Sequence, residues 1–331
     1  MRVVAGDIGG THTRLWMLEG GRVVRRARLE SRRYADPGDA IAELLDGASA
    51  SVACVGIAGP VVATKGGGRC VATNLPWVVD AAAIAKRARI GRVALVNDLV
   101  VAALGALRAP PRAVRPLWGT ARPARKGKNL AVLAAGTGLG EAALVWDRDH
   151  HVPLATEGSH VELGPRDAIE DELLVFLRAR FPEHVSYERV LSGPGIGNLY
   201  DFFREARGLR ETRRASEAIA RAADRNAAIT DLGLSGESAP ARAALELFAS
   251  LYGAEAGNLA LKTMATGGVL LVGSITARLR PLLERGGLRR SFLAKGRLAH
   301  VLEPIPVATV DAPDLGLSGA AFFAQGLAEG R

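Results

Sequence analysis

Gly6-Asp7-Ile8-Gly9-Gly10-Thr11 stands between two apolar runs near the start of the chain. Val3-Val4-Ala5 ahead of it reads as a short buried strand, and Thr13-Arg14-Leu15-Trp16-Met17-Leu18 behind it as a second strand. Glycines at such a junction permit a tight turn and a close backbone approach, because no Cβ stands in the way. Asp7 adds a carboxylate suited to a hydrated metal, and Thr11 a hydroxyl donor for an anion. Two readings are open from these residues: a turn that grips phosphate, and an ordinary hairpin.

The pattern recurs. Leu130-Ala131-Val132-Leu133-Ala134-Ala135 is an apolar strand, Gly136-Thr137-Gly138-Leu139-Gly140 a second Gly/Thr turn, and residues 141–146 another strand. Two such strand–turn–strand units predict two related lobes. The first turn is not a Walker A loop, since no Gly-Lys-Ser/Thr follows. Nor does it open a helix, as a dinucleotide-binding turn does. Phosphate at such a turn is held by backbone N–H groups and hydroxyls, with residues 136–140 supplying a matching second grip.

A chain of 331 residues has room for about two domains. Hydrophobic content of 48% with 23% charged residues belongs to a soluble globular protein. No apolar run approaches the roughly 20 residues that span a bilayer. The N-terminus runs straight into a strand without a signal-like segment, so cytoplasmic residence with no membrane partner is the expectation. Cys54 and Cys70 form no CxxC pair and read as small apolar side chains. The net charge of +9 raises nucleic-acid binding. The arginines are dispersed and aromatics make up only 5%, so no nucleic-acid partner is expected and the charge reads as a solvated surface that favours anions.

Between the two turns, Asp36-Pro37-Gly38-Asp39 opens a helix that ends near Gly47. Residues 51–57, 69–72 and 92–96 read as strands, and Asp80 caps a helix reaching Arg89. A further helix is predicted over residues 99–107. Prolines and basic residues over 109–128 mark an interdomain crossing. Beyond the second turn, helices are predicted over 167–180, 194–205, 213–224, 239–262 and 315–327, and strands over 269–272 and 305–310. This mixture predicts an α/β fold.

Asn97-Asp98 falls at a strand end. Asp98 there either accepts a proton from a substrate hydroxyl or caps the following helix, and Asn97 offers donor and acceptor atoms. Glu157, His160 and Glu188 present two carboxylates and an imidazole that can bind sugar hydroxyls. Glu188 reads equally as a helix-start charge, and His160 lacks a second histidine at metal-binding spacing. His150-His151 reads as a polar hairpin turn, and Ser192-Gly193-Pro194-Gly195 as a helix entrance.

Together the segments GDIGGTHTR, TNLPW, Val96-Asn97-Asp98, AAGTGLG, TEGSHVELGP, YERVLSGPGIGNLY and GGVLLVGSI resemble, in order and over almost the whole chain, the bacterial glucokinase family of the hexokinase–actin ATPase superfamily. The absence of a cysteine-rich zinc motif sets the chain apart from the repressor-related branch. The resemblance implies an actin-like ATPase (ribonuclease H-like) fold with two α/β domains around a central cleft. It implies a small domain of 1–108, a large domain of 109–313 and a C-terminal helix, 314–331, returning to the small one.

By the same resemblance, ATP and Mg²⁺ are used and glucose is phosphorylated at its 6-hydroxyl. Asp98 is implied as general base, with Asn97, Asp98, Glu157, His160 and Glu188 on glucose. Gly6, Asp7, Ile8, Gly9, Gly10 and Thr11, with Gly136, Thr137 and Gly138, surround the phosphates. Asp7 lies near Mg²⁺ through water, and Gly267, Gly268 and the strand after them lie near adenosine. A homodimer is compatible with the family. His12-Thr13 and Gly273-Ser274 depart from the family pattern and bear on the nucleotide contacts. Kinase activity on another hexose or with another phosphoryl donor, and a sugar-responsive binding protein without catalysis, are the alternatives; Asp98 speaks against the last.

Overall fold

The computed structural model describes residues 1–72, 75–120 and 126–330. Thr73 and Asn74 of the TNLPW segment, and residues 121–125 of the expected crossing, lie outside the described residues. The chain divides into two compact units, one built from residues 1–110, 153–155 and the stretch from 312 onward, the other from 111–152 and 156–311.

The first unit is a five-stranded sheet of β1 (Arg2–Ile8), β2 (His12–Glu19), β3 (Arg22–Glu30), β4 (Ala50–Ile57) and β8 (Ile90–Asn97), ordered β3-β2-β1-β4-β8. β1 pairs antiparallel with β2 and parallel with β4, which pairs parallel with β8. Between β4 and β8 come α1's partner helix α2 (Ala81–Ala88), with α1 itself spanning Pro37–Leu45, and a small sheet of β5 (Val61–Val62), β6 (Arg69–Val71) and β7 (Val78–Asp80). Alternation along β1 sends Val4 and Ile8 to one face, with Ile41, Leu45 and Ile84 of the two helices, and Val3 and Ala5 to the other. β4 is covered on both faces, which is why it reads as one apolar run.

The face with Val3 and Ala5 is covered by α3 (Asp98–Arg108) and the C-terminal helix (Leu315–Ala328) through Val101, Leu317, Ala320 and Ala324. These helices touch backbone to backbone. A Cβ on Gly105 would collide with the Leu315 carbonyl, and one on Gly319 with the Val101 carbonyl.

The second unit repeats the plan. Its sheet contains β9 (Val114–Trp118), β10 (Leu130–Ala135), β11 (Leu139–Asp147), β12 (His150–Thr156), β13 (Gly268–Val272) and β14 (Val307–Val310) in the order β12-β11-β10-β13-β14-β9. Its first five strands follow the same order and senses as the other sheet, so the two strand–turn–strand motifs occupy equivalent places. The long helix α8 (Ala239–Thr263), buried along most of its length, packs with α5 (Gly193–Asp201), α7 (Arg225–Ser235) and α10 (Gly287–Leu293) into one core holding Phe202, Phe248, Tyr252 and Phe292. Fully burying side chains of this size contributes about 1.5–3 kcal/mol each.

Several expectations change. Residues 114–118 are a sheet strand, β9, because Val114 and Trp118 pair across to β14. His150 and His151 begin β12; the hairpin turn is Arg148-Asp149, where Arg148 takes positive φ. The helix expected over 213–224 stops at Arg221, and α7 begins afresh at Arg225 with Asp224 as its cap. Among the described residues, no helix is long and apolar enough to cross a membrane.

In an isolated helix Gly105→Ala would stabilise by about 1 kcal/mol. Here the added methyl meets an unyielding carbonyl, so it should lower stability by roughly 1–3 kcal/mol in denaturant unfolding. An unchanged or higher midpoint would contradict the close helix contact.

Candidate active site

The first glycine turn closes between Ile8 and His12, with Gly9 N–H donating to the His12 carbonyl at 3.0 Å. Gly6 is closely packed: a Cβ there would lie 3.2 Å from Leu15 Cδ2. Ser31, which sequence reading did not single out, braces the turn. Its N–H donates to the Thr11 carbonyl at 3.0 Å and its hydroxyl to the Gly9 carbonyl at 2.7 Å. Thr13 is buried with its hydroxyl on Ser31, so this departure from the family pattern is absorbed inside the unit. Thr11 is exposed at the tip.

Asp7 stands directly across the β1–β2 ladder from Arg14, and their side chains form an ion pair. Arg14 also donates to Asp314 at 3.0 Å. Sequence spacing alone suggested neither Arg14 nor Asp314 as a partner for Asp7.

At the same sheet end, the register sets Ile8, Ile57 and Asn97 side by side on β1, β4 and β8. At the usual strand spacing this places the Asn97-Asp98 pair about 10 Å from the first turn. Asn97, rather than Asp98, is the helix cap: its Oδ1 accepts from Leu99 N–H at 2.9 Å and Val100 N–H at 3.4 Å. Asn97 Nδ2 reaches the Gly59 carbonyl at 3.4 Å. Asp98 therefore occupies the first helical turn, half-buried, with its carboxylate accepting from Leu99 N–H at 2.9 Å. A carboxylate there is stabilised by the helix dipole.

In the second unit the glycine turn is held from outside. Gly136 N–H donates to the Gly138 carbonyl at 2.9 Å, and Gly193 N–H to the Gly136 carbonyl at 2.9 Å. Glu188 accepts from Leu139 N–H at 3.0 Å and lies so close to Gly138 that a Cβ there would sit 2.5 Å from its Oε2. Ser192 caps α5 through Gly195 N–H at 3.0 Å, fulfilling the expected helix entrance, and anchors the Glu188 carbonyl at 2.7 Å.

Glu157 precedes a single turn, Gly158–His160, and both Glu157 and His160 are exposed. The turn holding Glu188, Tyr187–Arg189, is stitched to that region by Tyr187 N–H on the Val161 carbonyl at 3.2 Å. His184 meets the His160 carbonyl at 2.7 Å.

Gly267 and Gly268 are not brought to this site. β13 runs parallel to β10 with Gly268 beside Leu130, at the opposite strand end from Gly136–Gly138. The strand's far end returns instead, where Gly273 takes positive φ against the Ala135 carbonyl and Ser274 Oγ lies 3.9 Å from a Cβ built on Gly136.

Among the described residues, no cluster of three or more His, Cys, Asp or Glu can hold a metal ion. Asp7 is a single carboxylate, paired with Arg14, and Mg²⁺ is an ion that usually keeps several waters and needs only one or two carboxylates. Glu141 was missed by sequence reading because it falls inside an apolar strand. It is 1% exposed, and burial first, then the charge of Glu255, raise its carboxyl to about 8, with Lys262 acting in the opposite sense.

The glucokinase family profile matches residues 4–327. A glucokinase from Synechocystis is 33% identical over 350 residues, covering 97% of each chain. The crystal structure of a glucokinase from an Antarctic psychrotroph is 26% identical with a TM-score of 0.81, covering 98% of each chain. A glucokinase from Balamuthia mandrillaris, solved with glucose, is 25% identical with a TM-score of 0.79, covering 98% of this chain and 94% of that one. The fold is the actin-like ATPase fold.

Glu141 holds its proton in the folded chain from its ordinary 4.5 up to about 8, whereas the unfolded chain releases it near 4.5. Its contribution to stability is thus full below 4.5 and is lost as pH rises toward about 8. Unfolding midpoints followed across that window should fall less for Glu141→Gln than for the wild type. Parallel curves would show that Glu141 does not titrate as described.

Proposed function

Because the chain belongs to the glucokinase family, we propose that it transfers the γ-phosphoryl group of ATP to the 6-hydroxyl of glucose with Asp98 as general base. The observation that carries this reading is the row Ile8–Ile57–Asn97, which puts a half-buried carboxylate at the sheet end where the first glycine turn opens.

Asp98 takes the proton of the 6-hydroxyl as that oxygen attacks the γ-phosphorus; the bond to the bridging oxygen breaks and ADP leaves. Backbone N–H groups of residues 8–11 and 136–138, with the hydroxyls of Thr11 and Thr137, stabilise the phosphate charge. Asp7 would hold Mg²⁺ through water, and that ion would supply neutralisation of phosphate charge. Arg14, already paired with Asp7, keeps that carboxylate aimed.

Glu157, His160 and Glu188 orient the sugar. Asn97 Nδ2 joins them, since it makes a long 3.4 Å contact to the Gly59 carbonyl while Oδ1 caps the helix. A site built around hydroxyls rejects analogues that leave its polar groups unpaired. Gly273-Ser274 replaces Gly267-Gly268 on the nucleotide side, because it neighbours the second turn. ATP as donor fits a cytoplasmic setting.

Asp98→Ala should lower kcat by roughly 10²–10⁴-fold, the usual share of a general base, while glucose affinity and unfolding midpoint stay near wild type. A coupled ADP-release assay run with glucose and a panel of other hexoses reads this. Turnover within a few-fold of wild type would remove Asp98 from the base role.

A further inference from the structure

Behind the turn that carries Glu157 and His160 lies a buried carboxyl that the mechanism above does not use. Glu141 stands in β11 opposite Leu133, and its Oε2 abuts Gly158 so tightly that a Cβ there would collide. Thr156 fastens the same spot: its hydroxyl donates to the Glu141 carbonyl at 3.4 Å and accepts from Gly158 N–H at 2.9 Å.

From α8, Glu255, Lys262 and Tyr252 face Glu141, and Gly158, which lies against its Oε2, begins the turn that Glu157 precedes and His160 ends. Glu255 is fully buried. Its Oε2 accepts from Asn258 Nδ2 at 2.8 Å, and its Oε1 lies 3.5 Å from Lys262 Nζ. Asn258 Nδ2 also reaches the Tyr187 hydroxyl at 3.3 Å, next to Glu188.

If both acids were ionised, neither oxygen of Glu141, nor Glu255 Oε1, would have a hydrogen-bond donor. Burying two such charges side by side is strongly unfavourable. One proton resolves it, because a protonated Glu141 donates to Glu255.

We propose that Glu141, sharing a proton with Glu255, is a positioning residue for sugar binding: the pair sets the Gly158–His160 turn directly and the Tyr187–Arg189 turn through Asn258. This rests on the reading of Glu157, His160 and Glu188 as sugar contacts. Loss of the shared proton places two like charges against each other beneath Gly158 and displaces the turn. Lys262 offsets only part of that repulsion, being 3.5 Å from Glu255 and 52% exposed.

The test is glucose affinity without nucleotide, by calorimetric titration of the full chain. Wild type should bind glucose about tenfold more weakly at about pH 9 than at about pH 6.5, the scale expected when binding groups are misplaced. Glu141→Gln, an isosteric donor without a titrating proton, should bind at both pH values as wild type does at the lower one. Glu141→Ala should bind weakly at both.

A wild-type slope that persists in Glu141→Gln would overturn the proposal, as would wild-type affinity in Glu141→Ala. Glu157→Gln is the control for the underlying reading. If it binds glucose like wild type, the sugar site itself is misassigned and the proposal falls with it. If it loses affinity while both Glu141 variants track wild type at each pH, the positioning role alone is wrong.

Discussion

The N–H of Leu139 ends the second glycine turn, and it is taken by a carboxylate forty-nine residues further on, Glu188, at 3.0 Å. A buried backbone donor must find an acceptor, so the turn and the Tyr187–Arg189 segment are constrained to one geometry. Gly138 is glycine because the carboxylate fills the space a Cβ would need. Gly193 and Ser192 complete the clamp from the start of α5. Segments that read as separate motifs, AAGTGLG and YERVLSGPG, are therefore one object in which the second glycine turn and the Glu188 carboxylate share a hydrogen bond. A shift in either would be felt by the other.

Local signals were legible where the chemistry is local. Asp36, Asp80, Asp167 and Ser192 each cap the helix expected of them, since a short polar side chain before an apolar repeat has few other uses. The apolar runs flanking both glycine turns read correctly as strands. What depended on register was not legible. Gly267-Gly268 and Gly273-Ser274 are equally turn-like, and only the parallel pairing of β13 with β10 tells which end meets the second glycine turn. Asn97 and Asp98 are both good caps; the backbone chose Asn97 by placing Asp98 inside the helix. Glu141 was invisible because a lone acid in an apolar strand carries no pattern, and its meaning lies in Glu255, far along the chain.

Charge is handled differently on the surface and inside. The chain's excess of arginine is spread over exposed pairs such as Arg213 with Glu217 and Arg242 with Glu246, each contributing little in high dielectric. Inside the second unit, Glu170 is fully buried but is met by the guanidinium and backbone N–H of Arg166. Among the described residues neither carboxyl oxygen of Glu141 is hydrogen-bonded by a cation, although the charge of Lys262 acts on it. Two buried acids in one core thus find different solutions, an arginine partner for Glu170 and, for Glu141, retention of a proton beside another acid.

The C-terminal helix has a consequence for how the chain is made. With α3 it covers Val3, Ala5, Val52 and Cys54, so part of that face of the first sheet stays uncovered until residues 315–328 leave the ribosome. With the second unit's residues intervening, synthesis at 5–20 residues per second leaves that part uncovered for roughly 10–40 s. The second unit, whose strands and helices lie within one continuous stretch apart from three residues, can reach its core contacts during that interval. Order of completion therefore runs against order of synthesis: the lobe begun first is finished last, and a C-terminal truncation strikes the N-terminal sheet.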